Sequence, residues 1–186
     1  MSETRGMNRR QWLSTVGLAA PLLWLSGCGR QANSSANAMA STGQPFEALE
    51  LSEAQWREIL SPEAFRVLRD EGTERSGSSP LDKIYEPGFY VCAGCNLSLF
   101  SSEHKYDSGT GWPSFWQPID DRHIGTKRDY KLIWPRTEYH CARCGGHQGH
   151  VFDDGPRPTG QRWCNNGVAL RFIPDGEPLP ALRTSA

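Results

Sequence analysis

The sequence predicts a mainly β protein built around a metal site, and three observations support this. Short strand-like segments are separated by clusters of Gly, Pro and Asp. Strands and helices do not alternate, so a parallel sheet is not expected. Two C-x-x-C pairs, Cys92 with Cys95 and Cys141 with Cys144, stand where strand candidates end. Nineteen Gly and seven Trp in 186 residues suit a turn-rich fold with aromatic packing better than a helical bundle.

Residues 1–28 are predicted to be an export signal. Arg9 and Arg10 form a positive start and also fit a twin-arginine motif. The 15-residue apolar stretch 12–26 is too short to cross a bilayer comfortably. It runs into Leu-Ser-Gly-Cys28, which resembles a bacterial lipoprotein cleavage box with Cys28 as the lipid anchor. We therefore expect a membrane-anchored lipoprotein on the periplasmic side of a bacterial cell envelope. An exposed N-terminal helix or a retained membrane anchor is the alternative.

The remaining chain divides into three predicted segments. Residues 29–45 are rich in Ala, Ser, Asn, Gln and Gly and are expected to form a flexible tether. Residues 46–174 form the predicted domain, and residues 175–186 form a C-terminal tail. The formal net charge of −1 gives no basic bias, so a nucleic-acid partner is not expected.

Two short helices are predicted before the strands. Ser52 and Gln55 form a capping box that starts the first helix. Ser61 followed by Pro62 starts the second, and Gly72 is its expected stop. The strand candidates are 88–92, 129–134, 137–141 and 168–172.

The two C-x-x-C pairs predict a closed tetrahedral site of four thiolates, for which zinc is the preferred metal. Each pair lies at a strand end before a turn, and Gly94 and Gly145 are expected to let the backbone curl round the metal. Disulfides are the main alternative, because export implies an oxidising compartment. A thioredoxin-like redox motif would need a βαβ context that this sequence lacks.

Cys164 stands apart from both pairs and is a candidate nucleophile. Its surroundings are polar and turn-forming, and the Arg162 charge is expected to lower the thiol pKa and raise the thiolate fraction. A lone cysteine is otherwise more often a buried apolar filler.

The sequence around Cys164 resembles the signature of the B-type peptide-methionine (R)-S-oxide reductases, the SelR-like family. The resemblance spans about residues 47–173 and includes both C-x-x-C pairs. The other matching runs are Gly72–Arg75, Asp107–Phe115, Arg136–Glu138, Gly145–Pro156 and Thr159–Asn166.

The resemblance implies two antiparallel sheets forming a distorted, tent-like barrel, with short N-terminal helices and a structural zinc site of four cysteines. It implies reduction of the R epimer of methionine sulfoxide through a sulfenic acid on the nucleophile. The implied catalytic residues are Cys164, His147, His150 and Asn166, and the implied substrate-binding residues are Trp112, Phe115 and Arg162.

Alternatives remain open for several of these residues. His147 and His150, three residues apart, are expected on a glycine-rich turn, because a regular strand would direct them to opposite faces. A second metal site or simple surface polarity is the alternative for this pair. Trp112 can instead be core packing, and Asn166 can instead belong to an ordinary Asn-Gly turn.

Two positions depart from the family pattern. Trp163 replaces the Tyr that is common beside the nucleophile, an aromatic exchange from which little effect is expected. Many members have a resolving cysteine where this chain has Thr110. The resemblance then implies that an external thiol, from a thioredoxin-like partner, reduces the sulfenic acid. An unlipidated Cys28 on the tether is the alternative resolving thiol.

We expect a monomer that repairs oxidised envelope proteins under oxidative stress. Two other functions compete with this expectation. One is a zinc-stabilised binding module without catalysis, since fold does not dictate function. The other is a thiol–disulfide oxidoreductase that uses a C-x-x-C pair.

Overall fold

The computed structural model describes residues 46–130 and 134–185. The predicted export signal, the tether and Cys28 lie outside this range. No helix in the described ranges is long and apolar enough to cross a bilayer.

Two short helices open the described chain, as the sequence predicts. Helix α1 spans Glu53–Ile59 and begins at the expected capping box, in which Ser52 Oγ accepts from Gln55 N and Gln55 Oε1 accepts from Ser52 N. Helix α2 spans Pro62–Leu68 behind an N-cap at Ser61. The expected stop at Gly72 is wrong, because α2 ends four residues earlier and the left-handed residue that reverses the chain is Glu71, with φ of 53°.

In the part of the chain that the structure describes, nine strands form two antiparallel sheets. The three-stranded sheet has the order β2-β1-β9, and the six-stranded sheet has the order β3-β4-β8-β7-β6-β5. The strands are β1 Gly88–Cys92, β2 Ser98–Ser101, β3 Lys105–Tyr106, β4 Ser114–Phe115, β5 Ile124–Asp129, β6 Arg136–Cys141, β7 His147–Phe152, β8 Arg162–Asn165 and β9 Leu170–Pro174.

Two of the four predicted strands match closely, namely β1 and β6. The candidate at 168–172 begins as a short 3-10 helix, Gly167–Ala169, which leads directly into β9. The candidate at 129–134 has the wrong start, because Asp129 is the last residue of β5 and not the first residue of a strand. Residues 131–133 lie outside the described part.

The mainly β class and the two antiparallel sheets are confirmed, but the distorted barrel is not. Within the described residues, no strand ladder joins the two sheets into a closed ring. The sheets instead meet through aromatic side chains. Phe100 of β2 stacks on Phe115 of β4 with ring centroids 4.2 Å apart, and Tyr139 of β6 approaches Phe100 edge-on. All three are fully buried, so burial of these rings holds the two sheets together.

Candidate functional site

The two C-x-x-C pairs form two matching knuckles at the ends of β1 and β6. In the first, Cys92 N donates to Leu97 O, and Asn96 N donates to Cys92 O. The second repeats this pattern with Cys141, Gly146 and Gly145. The left-handed positions are Asn96 and Gly145, with φ of 68° and 67°, so the expected role of Gly94 is filled by Asn96.

The four knuckle sulfurs converge at one point. Their Sγ atoms all lie within 4.8 Å of one another. Cys92 Sγ lies 3.7 Å from Cys144 Sγ, and Cys95 Sγ lies 3.5 Å from Cys141 Sγ. Disulfide sulfurs would be about 2 Å apart. A tetrahedral ion bound to thiolates at about 2.3 Å would hold its ligands about 3.8 Å apart. The spacing therefore fits a four-coordinate metal and not two disulfides.

Burial of the knuckle thiols also fits a bound cation. All four cysteines are buried. Hydrogen bonds among the sulfurs raise the pKa of Cys92 and lower that of Cys95. A divalent cation would offset the cost of burying several thiolates together.

Three polar side chains, those of Gln148, Arg183 and Arg143, contact the two knuckles. Gln148 Nε2 lies 3.4 Å from Cys92 Sγ. The C-terminal tail crosses the first knuckle, where Arg183 Nε donates to Gly94 O at 2.9 Å and Arg183 N donates to Cys95 O at 3.1 Å. Arg143 joins the two, donating to Cys95 O and to Arg183 O.

Cys164 lies in a different environment, in the middle of the six-stranded sheet. It sits on β8 between β4 and β7, opposite Ser114 on one side and His150 on the other. Gly149 makes the β7 approach possible, because a Cβ there would lie 1.9 Å from Cys164 O. The main chain at Cys164 is thus fixed by two ladders, while its thiol remains partly exposed.

The Cys164 thiol lines a small cavity of about 110 Å³. Pockets for drug-sized ligands are larger, roughly 300–1,000 Å³, so this one suits a single side chain. The lining residues are Thr73, Trp112, Arg136, Gly149, His150, Phe152, Cys164, Asn165 and Asn166. Hereafter this cavity is called the cleft.

Burial raises the pKa of the Cys164 thiol, and the charge of Arg162 only partly offsets the effect. Arg162 lowers the thiol pKa as expected, but burial outweighs this effect, so the expected rise in the thiolate fraction does not follow. Arg162 is held by Asp154, with Nε 2.8 Å from Oδ1, and its guanidinium lies over the Phe152 ring. It stands beside the cleft and is not one of the residues that line it.

The two histidines lie on strand β7, not on the predicted turn. Their rings nevertheless meet, with centroids 5.5 Å apart. The cause is a bulge in β7, where the register passes from Tyr139 opposite Gly149 to His140 opposite His147 and leaves Gln148 as an extra residue. The extra residue returns His147 and His150 to the same side despite their odd spacing.

Each histidine has a carboxylate partner that the sequence did not reveal. His150 Nε2 lies 2.8 Å from Asp129 Oδ2, which also pairs with Arg136. His147 Nδ1 lies 3.1 Å from Glu138 Oε1, within ion-pair range but outside hydrogen-bond geometry. The partners belong to different strands, β5 and β6, so only strand pairing brings them to the histidines of β7.

Of the two histidines, only His150 reaches the cleft. His147 is 2% exposed and lies behind it. Burial lowers the pKa of His150, and the hydrogen bond to Asp129 opposes that shift. With Nε2 directed at Asp129, Nδ1 is the nitrogen that remains for a ligand in the cleft.

Two of the predicted site residues, Phe115 and Asn166, make contacts that hold the fold together. Phe115 is fully buried in the core, so the structure places it away from the cleft, where the expected substrate contact would be. Asn166 lines the cleft, but both polar ends of its side chain have main-chain partners. Its Oδ1 accepts from Glu74 N and its Nδ2 donates to Gln148 O, each at 2.9 Å.

Trp112 forms part of the cleft wall and is half-buried. Its Nε1 donates to Glu74 O at 3.3 Å. Thr110 is also close to the nucleophile, since its side chain lowers the pKa of the Cys164 thiol. The position where many family members have a resolving cysteine is thus next to the reactive sulfur.

A larger cavity of about 600 Å³ opens near Glu74, between α2 and the 3-10 helix Gly167–Ala169. None of the described residues that line it is a cysteine or a histidine. Of these two cavities, the smaller cleft is the one in which a cysteine and a histidine meet.

Comparison with known proteins matches residues 60–174 to the SelR domain family. The chain is 50% identical over 121 residues to the peptide methionine sulfoxide reductase MsrB of Leptospira interrogans, covering 65% of this chain and 92% of that protein. It is 48% identical over 131 residues to the Methanosarcina barkeri protein of the same name, covering 70% and 92%. It is 46% identical over 161 residues to the mitochondrial methionine-R-sulfoxide reductase B2 of Rattus norvegicus, covering 82% and 92%.

Proposed function

Because this chain belongs to the SelR family of methionine sulfoxide reductases, we propose that it reduces the R epimer of methionine sulfoxide in proteins through Cys164. Its relatives support the enzyme class, peptide-methionine (R)-S-oxide reductase. The observation that carries the residue assignment is the cleft, where a partly exposed thiol, a carboxylate-bound imidazole and an indole meet in a space the size of one side chain.

The proposed reaction moves one oxygen atom. The Cys164 sulfur attacks the sulfoxide sulfur and forms an S–S bond, while the oxygen takes a proton and its bond to the substrate sulfur breaks. The hydroxyl then bonds to the Cys164 sulfur as the S–S bond breaks, which leaves methionine and a Cys164 sulfenic acid. Two external thiols then reduce the sulfenic acid, giving the Cys164 thiol, one disulfide and water. Sulfur is reduced on the substrate and oxidised on the enzyme, so the two half-reactions balance.

His150 is the proposed proton donor to the sulfoxide oxygen, which becomes more basic as its bond to sulfur weakens. It lines the cleft opposite Cys164 in the β7–β8 ladder, whereas His147 is buried behind it. Asp129 holds His150 by Nε2 and opposes the lowering of its pKa by burial, so the imidazolium that would donate from Nδ1 to the substrate depends on this contact. We assign His147 and Glu138 to the support of this ring and not to proton transfer.

Trp112 is the proposed contact for the substrate methyl group, and its position on the cleft wall supports a role in selecting the epimer. An apolar wall on one side and an imidazole on the other give the methyl group and the oxygen of a chiral sulfoxide different partners. Asn166 completes the wall, and its catalytic role stays a prediction. Arg162 tunes the charge near the thiol from beside the cleft.

The knuckles support a structural zinc on Cys92, Cys95, Cys141 and Cys144. Zinc would join the end of β1 in the small sheet to the end of β6 in the large one and would leave no open coordination position. The C-x-x-C thiols are buried, which disfavours the rival thiol–disulfide oxidoreductase, since exchange needs an accessible sulfur.

We further propose that the natural reductant is an external thioredoxin-like thiol, since Thr110 occupies the resolving position. The predicted signal and Cys28 support a lipoprotein at the periplasmic face of a bacterial envelope, acting as a monomer on oxidised envelope proteins. This location and oligomeric state rest on the sequence alone.

The deciding experiment gives the full chain separate R- and S-sulfoxides of blocked methionine with excess dithiothreitol. We expect loss of the R epimer only, and no loss with Cys164→Ser. A Cys28→Ser variant with unchanged turnover shows that the tether cysteine is not needed. Failure of folded, metal-loaded protein to reduce either epimer would overturn the proposal and favour the binding-module alternative.

A further inference from the structure

Glu74 lies between the cleft and the larger cavity. It belongs to the Gly72–Arg75 run, which precedes the first strand and has no role in the chemistry described above. Its neighbour Thr73 lines the cleft, while Glu74 itself lines the larger cavity. The residue is 8% exposed, which is unusual for a carboxylate and calls for a physical reason.

The Glu74 carboxylate caps a helix distant in sequence. Its Oε1 accepts from Gly167 N at 2.7 Å, and its Oε2 accepts from Val168 N at 2.9 Å. These are the first amides of the 3-10 helix Gly167–Ala169, whose own N-cap residue Asn166 makes no side-chain cap. Charge-assisted bonds to unpaired amides are stronger than neutral ones, which makes burial of this carboxylate favourable.

The main chain of Glu74 contacts two walls of the cleft. Its N–H donates to Asn166 Oδ1 at 2.9 Å. Its carbonyl oxygen accepts from Trp112 Nε1 at 3.3 Å. One residue therefore touches the indole proposed to hold the substrate methyl and the loop that directly follows the nucleophile.

The nucleophile itself is held by other means. Cys164 is fixed by the β4 and β8 ladder on one side and the β7 and β8 ladder on the other. None of the four Glu74 contacts is part of these ladders. Loss of the Glu74 carboxylate should therefore move the walls of the cleft relative to a thiol that stays in place.

We propose that Glu74 is a positioning residue of the reductase, which sets the distance from Trp112 and Asn166 to the Cys164 sulfur. This inference rests on the proposed function of the cleft. Its physical basis is preorganisation, since a side chain bound between an indole and a thiol reacts only if both are correctly placed.

The test compares Glu74→Ala and Glu74→Gln with Glu63→Gln, an exposed carboxylate that lines the same larger cavity. All are made in the full chain. With Glu74→Ala we expect kcat/KM for the R-sulfoxide to fall by roughly tenfold or more, with a higher KM, because the main chain that anchors the indole is no longer tied to the 3-10 helix by the carboxylate. Glu74→Gln keeps the shape of the side chain, but its NH₂ group would face one of the two main-chain N–H donors. We therefore expect a smaller loss of kcat/KM in the same direction. Glu63→Gln should match the wild type.

Two further readouts separate positioning from general destabilisation. The rate of Cys164 alkylation by iodoacetamide should stay within about twofold of wild type across pH, because the ladders and the nearby charges are unchanged. In amide NMR spectra, Gly167 and Val168 should lose exchange protection, and the Trp112 Nε1–H resonance should shift.

Unchanged kcat and KM in folded Glu74→Ala would overturn the inference. So would a fall in thiol alkylation as large as the fall in turnover, because Glu74 would then act on the nucleophile or on the whole fold. Should Glu74→Ala not fold, the same criteria apply to Glu74→Gln. If the wild type is inactive, only the proposed function is overturned, because the NMR signals still report whether Glu74 anchors the loop and the indole.

Discussion

The knuckles and the cleft place the same functional group in opposite surroundings. Four thiols at the knuckles are buried, point at one another and are backed by matching turns. The thiol of Cys164 stands alone, partly exposed, beside a guanidinium and an imidazole. A thiol that stabilises the fold as a metal ligand must be shielded from other reactants, whereas a catalytic thiol must be accessible to its substrate.

The comparison also shows how each region is specified. The knuckles are nearly local structures, each defined by about six consecutive residues, and they need only be brought together. The cleft draws on residues from the segment before β1 to the loop after β8, so it depends on most of the fold. The knuckles should therefore control stability, and the cleft should control turnover.

The largest expected effect is on the cleft. Replacing the nucleophile in Cys164→Ser should lower turnover of the R-sulfoxide by about four orders of magnitude or more, because an alcohol is a far weaker nucleophile than a thiol. Metal content and melting temperature should match the wild type. A Cys164→Ser protein that loses its metal would break the separation between the two regions.

The next effect is on the knuckles. Cys141→Ser should lose the metal and lower the free energy of unfolding by several kcal/mol, because metal binding and folding are coupled. Metal analysis after dialysis and denaturant titration measure both changes. A metal-free Cys141→Ser protein as stable as the wild type would show that the site contributes nothing to the fold.

The third prediction concerns what happens to the Cys164 sulfenic acid after one turnover. Because the Thr110 side chain is close enough to Cys164 to lower the pKa of its thiol, Thr110→Cys in a Cys28→Ser background should trap Cys164 as a disulfide after one turnover without reductant. The wild type should instead retain a sulfenic acid that reacts with dimedone. Mass spectrometry distinguishes the two products, and dimedone labelling of Thr110→Cys equal to wild type would contradict the placement of Thr110.

The pH dependence of Cys164 tests the charges beside the cleft. Burial raises the thiol pKa, so the alkylation rate should rise with pH through a midpoint above that of an ordinary thiol. Arg162→Leu removes a charge that lowers this pKa and should move the midpoint to higher pH. Asp154→Asn removes a charge that raises it and should move the midpoint the other way. Equal midpoints in all three proteins would show that burial alone sets the pKa.

The smallest expected effect concerns the C-terminal tail. Arg183→Ala removes the bond to Gly94 O and should lower the free energy of unfolding by about 1 kcal/mol. Metal release measured with a colorimetric chelator should be faster, while the alkylation rate of Cys164 stays the same. Arg128→Ala, at an exposed position on β5, is the matched control. A change in thiol reactivity with Arg183→Ala would indicate coupling between the two regions.

Features set by neighbouring residues could be predicted from the sequence. The capping box at Ser52, the proline start of α2 and the strand ends at Cys92 and Cys141 all involve groups within a few residues of one another. The errors involve alternatives that local patterns do not separate. A left-handed turn residue can be Gly or Asn, and the choice of Asn96 over Gly94 was not visible in the sequence.

Features set by distant pairing could not be predicted. The bulge at Gln148 exists because β6 and β7 pair in a particular register, and it alone brings His147 and His150 to one side. The carboxylates of Asp129 and Glu138 carry no motif that marks them as histidine partners. Phe115 fits an active-site pattern by its neighbours, yet the stacking with Phe100 places it in the core.

The kinds of chemistry available to this protein follow from its sequence: four thiols at metal-binding spacing, one thiol apart from them, and the family to which the chain belongs. The groups that surround the reactive thiol, and the direction in which its pKa moves, follow only from the packed fold. Burial, register and the meeting of charges are properties of segments far apart in the chain. They exist only once the two sheets have packed, which is why the contacts of Glu74 and Asp129 and the bulge at Gln148 emerge from the fold, although Glu74 and Gln148 lie in motif runs.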